Sequence, residues 1–200
     1  MRLLVIGSGM MGFAAAFDMA RTLEVDSVTL ADKDKKRARD ISGRINCMTQ
    51  SKKVRAVQLD AADEKATARL MRGHDAALSA VPYFLNLGLA RAAVEARCPF
   101  ADLGGNNTVV RREFALAKKA QKKNIALVPD CGLSPGLASI LAGELMRRIA
   151  TWSTPSLRAA LARIGSMMAM PCNPPGELIA LRVGVLVNTE TPRQRMASGW

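Results

Sequence analysis

The first dozen residues constrain this chain more than any other stretch. Residues 3–6 are a short aliphatic run with the composition of a buried strand, and they lead directly into Gly7, Ser8, Gly9, Met10, Met11 and Gly12. Residues 13–22 then read as a helix. A strand, a G-x-G-x-x-G turn and a helix in immediate succession form the context in which a dinucleotide's pyrophosphate is held. There Gly7 makes the tight turn, Gly9 admits the pyrophosphate against bare backbone, and Gly12 lets the helix close on the strand. The start of the helix adds unpaired N–H groups and the positive end of its dipole. The motif also expects an acid about twenty residues further on, at the end of the second strand. The run VTLAD at 28–32 places Asp32 there. Together these residues point to a Rossmann-type, doubly wound α/β domain with a parallel sheet.

The chain continues the alternation as far as Arg148. Helices are expected over 33–45, 61–72 (Leu70 and Met71 inward) and 83–97 (Leu85, Leu89, Ala93 and Ala96 inward). The intervening strands fall at 52–59, closed by Asp60, and at 76–81, stopped by Pro82. A fifth strand covers 100–103, and a turn at 104–107 precedes a helix that Thr108 caps and that runs to Lys123. The sixth strand is 125–128, and Ser134 is placed to cap a helix over 135–148 with Pro135 in its first position. Strands alternating with helices imply a sheet covered on both faces, with ligands at the carboxyl ends of the strands where their order reverses.

Residues 149–200 differ in character. Their only acids are Glu177 and Glu190, and Pro171, Pro174 and Pro175 cluster together. A helix at 157–164 and a strand at 181–187 are the elements expected there. The domain reading is therefore a dinucleotide-binding domain at 1–148 and an incomplete, truncated substrate-domain segment at 149–200. Apolar side chains such as Met167, Met168, Leu186 and Trp200 would be poorly covered in so short a segment, which favours association, including a homo-oligomer.

A formal net charge of +12 raises the question of nucleic acid. Its distribution argues against that partner: Lys35, Lys36, Arg37 and Arg39 lie on one helix and Lys118, Lys119, Lys122 and Lys123 on another, mixed with Asp34, Asp40 and Glu113. With one Tyr and five Phe there is little for base stacking. The four cysteines lack C-x-x-C spacing, so no metal site or disulfide framework is expected and a reducing cytoplasm fits. Glycines break the first apolar run at once, unlike a signal peptide, and no apolar run reaches the length of a membrane span. The expectation is a soluble cytoplasmic protein.

Four places in order, VIGSGMMG at 5–12, AVP at 80–82, DLG at 102–104 and VPDCGLSPG at 128–136, resemble the saccharopine dehydrogenase family, including its lysine 6-dehydrogenase-like members. The resemblance covers residues 1–148 and implies an NAD(P)-dependent oxidoreductase that acts on a C–N bond of an amino acid, lysine or saccharopine-like, by hydride transfer. It implies that Gly7, Ser8, Gly9, Met10, Met11 and Gly12 hold the pyrophosphate, Asp32 and Lys33 the adenosine ribose, and Asp60 and Ala61 the adenine. Ala80, Val81 and Pro82 would line the nicotinamide ribose. Asp102, Gly104, Asn106, Asp130 and Cys131 would face the nicotinamide and the substrate.

Each candidate also has a structural reading. Asp102 and Asp130 end strands, where an acid often caps the next turn, and Cys131 suits packing as well as reactivity. His74 invites a role as general base, but it precedes the fourth strand, at the end of the sheet opposite the ligand. Asp32 favours NAD, because it accepts hydrogen bonds from ribose hydroxyls and repels a 2′-phosphate, while the basic residues after it keep NADP open. The alternative function is a dinucleotide-binding module without turnover.

Overall fold

The computed structural model describes residues 1–150. The elements expected at 157–164 and 181–187 lie outside the described residues. Strands β1 (Arg2–Ile6), β2 (Ser27–Asp32), β3 (Val54–Gln58), β4 (Ala76–Ser79), β5 (Phe100–Asp102) and β6 (Leu127–Val128) form one sheet in the order β3-β2-β1-β4-β5-β6. Every neighbouring pair is parallel. The order reverses once, between β1 and β4, and opens a crevice at the carboxyl ends of these two strands.

The helices divide between the two faces as the side chains of β1 dictate. Leu4 and Ile6 point to one face and Val5 to the other, as the two-residue period of a strand requires. Val5, Val28 and Leu30 pack with Ala16 and Ala20 of α1 (Met10–Arg21) and Ile45 of α2 (Lys35–Thr49). Leu4, Ile6 and Phe100 pack with Ala68 and Met71 of α3 (Glu64–Met71) and Leu89 and Ala93 of α4 (Asn86–Ala96). Each large side chain so buried contributes about 1.5–3 kcal/mol. The buried residues of α1 are Gly12, Ala16 and Ala20, and α4 buries Ala90, Ala92 and Ala93, small side chains that let both helices lie close to the sheet.

α2 and α3 start two and three residues later than the apolar pattern alone suggests, because side-chain caps set their first turns, whereas α1 starts three residues earlier, at Met10. Asp34 accepts from the Arg37 amide (3.0 Å) and Asp63 from the Ala66 amide (2.9 Å). Ahead of α4, Tyr83–Leu85 is a short 3₁₀ turn. Leu85, expected inward, lines the crevice instead. At α5 (Asn107–Phe114) the cap is Asn106, not Thr108: its side chain accepts from the Thr108 (3.0 Å) and Val109 (3.2 Å) amides. The single helix expected up to Lys123 is two, α5 and α6 (Ala117–Lys122). Between them the Leu116 amide bonds to the Glu113 carbonyl (2.9 Å), a tighter turn that brings Leu116 onto the core. The last described helix, α7 (Ala138–Ala150), starts three residues after the expected position. Ser134 before it is extended (φ −147°, ψ 121°), and the Leu137 amide closes a wide turn onto the Gly132 carbonyl (2.8 Å). Among the described residues no helix is long and apolar enough to cross a membrane.

Candidate functional site

The glycine turn is held on both sides by neighbouring strands. The Gly7 amide donates to the Ala31 carbonyl (2.7 Å) and the Ala80 amide to the Ile6 carbonyl (2.7 Å). Gly7 has φ +102°, and a Cβ on it would stand 2.6 Å from the Ala80 carbonyl oxygen. A Cβ on Gly12 would overlap the Gly7 carbonyl oxygen, so the bare third glycine lets α1 lie against the first. Gly9 is different in kind. Its backbone is ordinary (φ −71°, ψ −170°), and no heavy atom of the described residues lies within 4 Å of where its Cβ would be. Nothing among the described residues requires glycine there, and as the N-cap of α1 it leaves open space at the start of that helix. No side chain caps that helix, and Met10 and Met11 point outward (90 % and 58 % exposed). The first-turn amides therefore remain available to an anion.

Beside the turn lies a cleft of about 320 Å³. Nine residues expected to hold the cofactor line it, namely Gly7, Gly9, Asp32, Lys33, Asp60, Ala61, Ala80, Val81 and Pro82. Arg37, one of the basic residues after Asp32 expected to keep NADP open, lines it too, and Leu59 and Leu85 join them without having been singled out as site residues. Of the basic residues after Asp32, Lys33 and Arg37 line the cleft and Lys35 and Lys36 do not. Ser8 and Gly12 are buried within the turn.

Asp32 is already engaged. One oxygen accepts from the Ser8 amide (2.7 Å) and hydroxyl (2.6 Å), and the other from the Asp34 amide (2.9 Å). Burial, the largest single influence, raises its pKa. The Ser8 hydroxyl, the Asp34 and Ser8 amides and the Arg37 guanidinium together hold the carboxyl below its ordinary value. An ionised Asp32 thus anchors the glycine turn and keeps lone-pair capacity for a sugar hydroxyl. Lys33 reaches Asp60 (3.3 Å), and the Ala62 amide, then Lys33, hold Asp60 below the usual carboxylate range.

Asp102, Gly104, Asn106, Asp130 and Cys131 are at the carboxyl ends of β5 and β6, next along the sheet, and do not line this cleft. The loop after β5 approaches the cleft at Tyr83, which a Cβ on Gly105 would meet at 3.3 Å. Asn106 uses its side-chain oxygen to cap α5. Asp102 is buried and accepts from the Gly104 (2.7 Å) and Asp130 (3.2 Å) amides. Asp130 holds a left-handed φ of +63°. Desolvation, then the charges of Asp102 and Asp130, push the Cys131 thiol up, away from a reactive thiolate. Glu113, fully inside the domain, escaped the sequence reading. His74 is a core histidine bonded to the Leu70 carbonyl (2.9 Å) and the Thr29 hydroxyl (2.8 Å), far from the site along β4. Among the described residues no group of three or more His, Cys, Asp or Glu side chains is arranged to hold a metal ion.

Comparison with known proteins agrees with this geometry. The family described as the saccharopine dehydrogenase NADP binding domain matches residues 3–128. A carboxynorspermidine synthase of Vibrio cholerae is 24 % identical over 159 residues, 71 % of this chain and 38 % of its own length. Apo saccharopine dehydrogenase (L-Glu forming) from Saccharomyces cerevisiae shares the fold at TM-score 0.60 and 20 % identity, over 75 % of this chain and 31 % of that one. GenD2 from gentamicin A biosynthesis, solved in complex with NAD, does so at TM-score 0.51 and 19 % identity, over 73 % of this chain and 38 % of its own. The chain thus spans 38 % of the length of its curated relative. With the motif, the strand order and the family match in agreement, this chain belongs to the saccharopine dehydrogenase NADP-binding family and carries its nicotinamide-dinucleotide-binding Rossmann domain.

Proposed function

We propose that this chain supplies the cofactor half of an NAD(P)-dependent oxidoreductase that acts on a C–N bond of an amino acid, with a lysine- or saccharopine-like substrate. One observation carries the reading: an uncapped helix start faces open space at Gly9, beside a cleft that also contains an ionised acid at Asp32. The bound dinucleotide would supply the hydride donor or acceptor. The protein's part is to bind and orient it. The amides of α1 hold the pyrophosphate, Asp32 takes a ribose hydroxyl, Asp60 and Ala61 flank the adenine, and Ala80, Val81 and Pro82 line the nicotinamide ribose. Asp102, Gly104, Asn106, Asp130 and Cys131 then form the substrate side. The names of the relatives support an amine-bearing substrate, since they refer to saccharopine and to carboxynorspermidine.

Cofactor choice falls between Asp32, which disfavours a 2′-phosphate, and Arg37, which lies in the same cleft and would offset that repulsion. A second reading, a dinucleotide-binding module without turnover, is favoured by a cleft lined by residues of the cofactor side, with Asp102, Asn106, Asp130 and Cys131 outside it. Fluorescence titration with NADH and NADPH, followed by turnover assays with lysine and saccharopine, tests both. Binding with turnover supports the enzyme, binding without turnover supports the module, and absence of binding rejects the site.

A further inference from the structure

Glu113 of α5 and Asp102 at the end of β5 are carboxyl groups with 2 % and 1 % exposure, and α5 packs against α4. Asp102 uses one oxygen to accept from the Gly104 and Asp130 amides. Its other oxygen and both oxygens of Glu113 are buried and find no N–H or O–H donor among the described residues. The two carboxyls are within hydrogen-bonding reach of each other. Two ionised carboxylates in such a place would face desolvation and repulsion, with no cation among the described residues paired to either. A single proton removes the conflict.

We propose that Glu113 is the positioning acid of the two loops after β5 and β6: as a neutral acid it donates its proton to the free oxygen of Asp102, and this one-proton pair holds both loops in register. The proton resides on Glu113 because Asp102 has two amides to stabilise its charge and Glu113 has none. Burial first, then the charge of Asp102, the hydrogen bond with it and the charge of Asp130 push the Glu113 acid up to about 8. Among the described residues, the other titratable group beside the pair is the Cys131 thiol, which burial and then the charges of Asp102 and Asp130 push up. Arg111 and Arg112 of its own helix are exposed, as are Lys118, Lys119 and Lys122 of α6. On α4, Arg91 pairs with Glu64 (3.5 Å) and Glu95 with Arg72 (2.9 Å).

What the pair secures is a strained junction. Gly104, Gly105 and Asp130 all have positive φ. The Cys131 amide bonds to the Asp102 carbonyl (2.8 Å). A Cβ on Gly104 would run into the Asp130 carboxyl, and one on Gly132 into the Leu103 carbonyl. The loops therefore interlock around the Asp102 carboxylate, whose orientation Glu113 fixes from below. Describing them as substrate-facing rests on the function proposed above; the lock does not.

The test uses the full chain with Glu113→Gln and Glu113→Leu, measuring protection of the Gly104 and Asp130 amides against hydrogen exchange from pH 6 to 9.5, corrected for intrinsic rates. In the parent chain, protection should fall at least about tenfold as pH rises through 8, as Glu113 ionises. Glu113→Gln, which still donates but does not titrate, should keep protection throughout. Glu113→Leu should lose it at every pH. Protection in the parent that is flat through pH 9.5, or the same fall in Glu113→Gln, overturns the proposal even if Glu113→Leu misfolds. NADH titration of the same samples serves as a separate readout: failure to bind rejects the proposed function and leaves the exchange result to decide the lock.

Discussion

Replacing Gly9 with valine should separate binding from folding at this site. The backbone at Gly9 lies in a region any L-residue adopts, and a Cβ there meets no protein atom within 4 Å. Valine is a poorer helix N-cap than glycine by about 1 kcal/mol, and stiffening the unfolded chain returns about 0.4–1 kcal/mol. Net stability should therefore change by less than about 1 kcal/mol. The cofactor has no such latitude. Three added carbons would occupy the approach to the α1 amides, with an overpacking cost of about 1–3 kcal/mol, and each charge-assisted hydrogen bond lost removes about 1.5–3 kcal/mol. A combined loss of about 3 kcal/mol or more corresponds to at least about a hundredfold weaker binding. NADH and NADPH titrations beside thermal melts of Gly9→Val measure both quantities. Binding within threefold of the parent, with an unchanged melt, would show that the pyrophosphate lies elsewhere; a collapsed melt would show that the space at Gly9 is not open.

Gly12→Ala should behave in the opposite way, because its Cβ overlaps the Gly7 carbonyl: the domain should lose about 3 kcal/mol or more in denaturant unfolding. Asp32→Ala should shift the affinity ratio toward NADPH by about tenfold and Arg37→Ala toward NADH, with the Arg37 contribution fading as salt rises; ratios that do not move would remove both residues from cofactor choice. His74 is held neutral by burial above all, so its folded pKa is depressed. An unfolded histidine takes up its proton near pH 6.5, the folded one only at lower pH, so stability should fall as pH drops from about 7.5 to 5.5. Denaturant midpoints should show a shallower fall in His74→Gln, and an equal fall would assign the pH dependence to other groups.

Much of this arrangement was legible in the chain because it is encoded locally. Each strand is a short aliphatic run, and Gly7, Gly9, Gly12 and Asp32 are read from spacing alone. The cap of α5 shows where local information stops: Asn106 and Thr108 are both good cap formers, and the bend of the loop after β5 decides between them. Glu113 was illegible for a related reason. Amid Arg111, Arg112 and Lys118 it reads as one charge on a solvated helix face, and only the tertiary packing of α5, against α4, buries it. The break at Leu116 follows from the same docking. Arg37 became a cleft residue because Asp34, by capping α2, sets the phase of that helix.

The pairing of β1 with β4 has a consequence for how the domain acquires its ligand. The motif is complete by residue 12, yet Gly7 takes its shape against the carbonyl of Ala80, and the cleft wall at Ala80, Val81 and Pro82 arrives with β4. A nascent chain of fifty or sixty residues would contain every glycine of the motif and still have no site. Dinucleotide therefore recognises the assembled sheet and not the unfolded chain, and its binding draws the folding equilibrium toward the native state. At a free concentration one hundred times the dissociation constant, that mass action is worth about 2.7 kcal/mol.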